Sequence, residues 1–67
     1  MLRVHDFTLI EINRIKNNAN FTRMEDKLFD LRNNETSLEM CAEIMNCSVS
    51  TVKRINKSMM SKINRVM

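Results

Sequence analysis

The feature that most constrains this chain is a break at Asn46 between two apolar stripes of helical period. Leu38, Cys41, Ala42 and Met45 stand at i, i+3, i+4 and i+7, one side of a helix of 3.6 residues per turn. After a short gap the apolar positions resume at Val52, Ile55, Met59, Ile63 and Val66. Two helices joined so tightly approach each other closely, so a small side chain is needed where they cross, and Ala42 supplies it. The first helix must stop with one residue in the left-handed region, a conformation Asn tolerates when Gly is absent. Asn46 holds that position. Cys47 then returns a small apolar group to the core, and Ser48 is a natural N-cap for the second helix.

Stepping about 100° per residue along the second helix separates two sides. Val52, Ile55, Met59, Ile63 and Val66 gather on one. Ser50, Lys53, Arg54, Lys57, Ser61 and Asn64 gather on the other. The charge distribution agrees: residues 48–67 hold five of the eleven Lys and Arg and no acid, a charge of +5. Residues 1–47 hold the other six bases and all eight acids, a charge of −2, which together make the net +3. Such polarity points one surface at an anion. Electrostatics alone does not separate DNA from RNA or an acidic protein, and a solvated helix with solubilising lysines is the bland alternative.

The N-terminal part supplies supporting helices. Thr8-Leu9-Ile10-Glu11 is a capping box, with Phe7 and Ile12 placed as a hydrophobic staple, and the helix it opens should bury Leu9, Ile12 and Ile15. Thr22-Arg23-Met24-Glu25 repeats the signature before a stripe of Met24, Leu28 and Leu31, with Phe29 to one side. Asn33-Asn34-Glu35 ends that helix, and Thr36 or Ser37 caps the next. Four helices are predicted at 8–18, 22–33, 37–46 and 48–66. The absence of Gly and Pro, with nine Asn acting as breakers and caps, favours this all-α bundle over hairpins. The 67 residues read as one domain, 1–35 being support and 36–67 the bent helix pair.

Several classes are disfavoured. The start, MLRVHDFT, carries Arg3 and Asp6 and no apolar run of signal or membrane-span length. Cys41 and Cys47 fall at core positions and read as reduced thiols in a cytoplasmic protein. Nothing calls for a disulfide between them, and the single His5 leaves too few ligands for zinc. No cofactor is expected. One His, no Gly-rich phosphate loop and too little chain to enclose a substrate argue against an enzyme.

Residues 36–63, TSLEMCAEIMNCSVSTVKRINKSMMSKI, resemble the helix-turn-helix in region four of bacterial sigma factors. They are also similar to the DNA-binding domain of LuxR-type response regulators. Ser37-Leu38-Glu39, Ala42-Glu43 and Ser48 through Arg54 carry the likeness, with Asn46 standing where Gly is usual. In such a motif the second helix enters the major groove of double-stranded DNA. The resemblance implies that Ser48, Val49, Ser50, Lys53, Arg54 and Lys57 face DNA. Ser50 and Arg54 are the candidates for base edges, while Lys53, Lys57 and Thr51 meet phosphates. Ser37, at the start of the third helix, is a further phosphate candidate. The expected function is a stand-alone transcriptional regulator of the kind found in mobile elements. A homodimer through the C-terminal helix is expected, with Met59, Met60, Ile63, Val66 and Met67 as the partner surface, and packing within the chain competes for the same residues. The alternative is a protein-binding module of the same fold acting on RNA polymerase, another regulator or a host defence protein.

Overall fold

The structure, a computed structural model, describes residues 7–66. Arg3, His5, Asp6 and Met67, which entered the reading of the sequence, lie outside the described residues. The fold is all-α, with helices α1 Leu9–Asn18, α2 Arg23–Asn33, α3 Leu38–Ile44 and α4 Val49–Val66 and no strand among the described residues. The four predicted helices are all present. The longest, α4, packs against each of the other three and forms the spine of the bundle.

Both capping boxes form. Thr8 Oγ1 accepts from Glu11 N at 3.2 Å while Glu11 Oε1 accepts from Thr8 N at 2.9 Å. Thr22 and Glu25 repeat the arrangement at the same two distances. Each cap satisfies backbone donors that the first helical turn leaves unpaired, a gain of about 1 kcal/mol.

The reversals are made without glycine. Asn20, Glu35 and Asn46 hold φ of 56°, 61° and 56°, all in the left-handed region. The first and third are Asn, whose short amide tolerates that region. At Glu35 the sequence offers no such signal; the hydrogen bonds around it fix the geometry instead. Thr36 N donates to Leu31 O at 3.1 Å and Glu35 N to Arg32 O at 3.0 Å. The Arg32 guanidinium then donates to Thr36 O at 2.8 Å, closing the loop. The same paired pattern ends α3, where Cys47 N donates to Ala42 O and Asn46 N to Glu43 O. That closure stops α3 at Ile44, two residues before its predicted end. Replacing Asn46 by Ala should cost about 1 kcal/mol, because a Cβ without a compensating amide strains the left-handed position. Urea denaturation of the variant measures this, and unchanged stability would mean that the turn relaxes.

Phe7, Ile15, Ala19, Leu28, Phe29, Cys41, Ala42, Met45, Val52, Met59 and Ile63 form the core. Three expectations change. Leu9, expected inside, is 79% exposed and Ile10 is 74% exposed. Leu9 opens α1 at a position that the cap turns outward, and Phe7 fills the core there instead. Met24 is exposed, whereas Phe29 is fully buried and lies 5.4 Å from the Phe21 ring, centroid to centroid. The buried residues of α2 are therefore Glu25, Leu28 and Phe29, with Leu31 half-buried against the same core, so of the expected stripe Met24 alone faces outward. Finally, Met59 and Ile63 are fully buried, and Met60 and Val66 pack against the same core. The apolar side of α4 thus completes its own bundle, which removes Met59 and Ile63 from the partner surface expected of them.

Ala42 is 5% exposed, in the cluster that joins α3 to α4. Ala42→Leu should overpack this contact and lower stability by about 1–3 kcal/mol, read as a drop in Tm. An unchanged Tm would place the closest approach of the two helices elsewhere.

Candidate nucleic-acid interface

Local chemistry sets the start of α4 firmly. Ser48 Oγ accepts from Thr51 N at 3.1 Å, its carbonyl accepts from Val52 N at 3.1 Å, and its hydroxyl lies 2.9 Å from that of Thr51. This cap fixes where α4 begins, and the apolar stripe sets the rotation of the helix about its axis. Val52, Met59 and Ile63 are buried, with Ile55 and Val66 half-buried beside them. The polar side must then face away from the bundle.

Ser48, Ser50, Lys53, Arg54 and Lys57 are exposed, as the sequence predicts. Ser50, Arg54 and Lys57 follow one another at helical spacing along the centre of that side, with Lys53 beside them. Two expected contacts are less free. Val49 is half-buried against the core because it lies on the shoulder of the apolar stripe, so it is not an outward contact. Thr51 is half-buried and its hydroxyl is paired with that of Ser48. Ser37 is exposed on a different element, where its hydroxyl caps α3 by accepting from Met40 N at 3.2 Å.

The charged groups divide sharply by role. Lys16 bonds Asp30 at 2.6 Å and Asp26 at 3.5 Å, and its ammonium lies 5.9 Å from the centre of the Phe29 ring. The bond to Asp30 raises its pKa despite partial burial. Arg32 closes the α2–α3 loop, and Lys62 is bound to Glu25. Lys53, Arg54 and Lys57 have no hydrogen bond or ion pair among the described residues. Arg14, Arg23 and Lys27 are exposed too, but α1 and α2 also carry Glu11, Asp26 and Asp30, whereas α4 carries no acid. Among the described helices, α4 is therefore the one that carries exposed cations and no acid. A phosphate chain could neutralise them without displacing an internal partner.

Sequence reasoning misses one cluster altogether. Glu25 is 4% exposed; its Oε1 accepts from Lys62 Nζ at 2.5 Å and its Oε2 from Ser58 Oγ at 2.5 Å. The Lys62 ammonium also reaches Asn20 O at 3.4 Å. This network ties α2 to α4 and keeps Lys62 off the outward surface. Its sequence signal is that Lys62 lies at the edge of the apolar stripe on the helical wheel, beside Ile55 and Val66. The two cysteines are free thiols, and burial pushes the Cys41 thiol up, against a weaker lowering by Arg32, so it stays protonated and inert. Among the described residues no helix is long and apolar enough to cross a membrane.

No protein-family model, curated protein or solved structure matches this chain.

Proposed function

We propose that this chain is a sequence-specific double-stranded DNA-binding protein that acts as a transcriptional regulator, with the first turns of α4 in the major groove. The observation that carries the reading is the placement of Lys53, Arg54 and Lys57. They stand exposed and unpaired among the described residues, on an acid-free helix whose other side is locked into the core. The role is binding without catalysis. In this arrangement Arg54 can bridge the two acceptors of a guanine edge, and Ser50 reaches an adjacent base. Lys53 and Lys57 neutralise phosphates on either side of the groove. The free thiols suit a reducing cytoplasm.

Titration of fluorescent random duplex at two salt concentrations tests this. Affinity should fall steeply as salt rises, because each neutralised phosphate releases counterions. Salt-insensitive or undetectable binding would overturn it. Arg54→Ala should then relax preference at one base pair, at a cost of about 1–3 kcal/mol on the preferred site. Lys57→Ala should instead weaken all duplexes alike. Site selection from randomised duplexes separates the two effects.

A second reading, a protein-binding module directed at polymerase or another regulator, draws on the exposed pairs Leu9–Ile10 and Met40–Ile44, the latter flanked by Glu39 and Glu43. Tight, salt-insensitive capture of a protein together with absent duplex binding would favour it.

A further inference from the structure

The outward stripe of α4 does not end with the residues assigned to the groove. Beyond Lys57 it continues through Ser61, Asn64 and Arg65, all exposed and none with a partner among the described residues. The helix has 18 residues, so it is about 27 Å long at 1.5 Å per residue. The major groove, about 12 Å wide, accepts the diameter of one helix and winds around the duplex, so a straight helix follows it over only part of its length. With the N-terminal turns of α4 in the groove, the turns beyond Lys57 leave it beside a sugar-phosphate backbone.

The composition of those turns suits that path. In these turns bundle packing uses the inner positions Met59, Met60, Ile63 and Val66, together with Lys62, which is committed to Glu25. The outer positions are free to be any polar residue, acids included. They are instead two neutral hydrogen-bond donors and one cation, separated from Lys53 by no carboxylate. Favourable interaction with the helix dipole accounts for Arg65 alone, since it lies in the last turn. It leaves Ser61 and Asn64 unexplained. Arg65 stands about 18 Å along the axis from Lys53, beyond the turns that enter the groove, so it can meet a phosphate that Lys53 does not.

We propose that Ser61, Asn64 and Arg65 form a second phosphate-contact patch, which holds the sugar-phosphate backbone flanking the groove that Ser50–Lys57 enters. The proposal rests on the DNA-binding reading above. The patch orients α4 across the duplex and adds affinity without adding base preference, since all its contacts are with the backbone.

The test is duplex titration over a range of salt for wild type, for the triple variant Ser61→Ala/Asn64→Ala/Arg65→Ala and for Arg54→Ala/Lys57→Ala, with Tm recorded for each. The triple variant should bind about tenfold more weakly and lower the salt slope by about 1, the loss of one phosphate charge contact. Its selected base preference should match wild type. Restoring only Arg65 should recover the slope but not all of the affinity. Wild-type affinity and slope in the triple variant, with binding lost in Arg54→Ala/Lys57→Ala, would overturn this patch alone. A lowered Tm with an unchanged slope would assign Arg65 to the helix dipole and likewise overturn the patch. Absence of salt-dependent binding by wild type would overturn the DNA reading and the patch together.

Discussion

Replacing Arg54 and Lys57 together by alanine should lower affinity for duplex DNA on the order of a hundredfold at near-physiological salt. The expectation combines the loss of a guanine contact, about 1–3 kcal/mol, with the loss of one phosphate neutralisation. Both side chains are exposed and neither has a partner among the described residues, so their removal takes nothing from the core. Alanine is also the best helix former, and α4 should keep its length. The variant's Tm should therefore stay within about 4 °C of wild type, the largest change expected from a net surface effect of about 0.5 kcal/mol. Retained affinity with an unchanged salt slope would remove these residues from the interface. A large fall in Tm would mean that they support the fold.

The second large effect concerns stability. Glu25 is buried between α2 and α4, where its carboxylate serves Lys62, Ser58 and the backbone of Thr22 at once. Removing it by Glu25→Ala loses the capping box and leaves the Lys62 ammonium three-quarters buried without its counter-charge. The expected loss is about 3 kcal/mol, the range for breaking a buried ion pair. A chain of 67 residues has only about 3–10 kcal/mol of stability, so this variant should lose about a third of it or more, and its Tm should fall by more than about 10 °C. Glu25→Gln keeps the cap and isolates the charge. Burial by itself raises the Glu25 pKa, but the bonds from Lys62, Ser58 and Thr22 outweigh it and hold the carboxyl at about 2, below the ordinary 4.5. A depressed folded-state value gives stabilisation that is complete above the unfolded pKa and disappears as pH falls toward the folded one, about 2–3 kcal/mol here. Wild type should exceed Glu25→Gln in stability near neutral pH, and that margin should shrink by about 2 kcal/mol at about pH 3. Chemical denaturation of both proteins at the two pH values measures it. A margin independent of pH would show that the carboxylate is not held ionised by its neighbours.

The legible parts of the fold were those in which one residue type answers one local need. Thr8-x-x-Glu11 and Thr22-x-x-Glu25 each satisfy backbone donors within four residues, so spacing alone finds them. Asn46 is readable because few residues other than Gly occupy its conformation. The apolar stripe of α4 is long enough for its phase to be unambiguous, and with the phase comes the outward placement of Ser50, Lys53, Arg54 and Lys57. Short stripes are less decisive. On α1 the choice between Leu9 and Phe7 depends on how the capped turn meets the bundle, a tertiary matter. On α2 the stripe is off because Glu25 occupies an inward position, and a carboxylate there makes sense only once Lys62 and Ser58 arrive from α4. Glu35 in the left-handed region is likewise fixed by bonds around it rather than by its own preference. Val49 shows the limit of carrying a motif across: its position matches the groove-facing set, while its rotation on α4 puts it against the core.

A titration of the isotope-labelled chain with duplex DNA, followed through its backbone amide and arginine side-chain resonances, tests the central claim most directly. The largest shifts should fall on Ser50, Lys53, Arg54 and Lys57, with α1 and the outer side of α3 unmoved. Shifts centred on Leu9–Ile10 or Met40–Ile44, or none at all at saturating duplex, would contradict it.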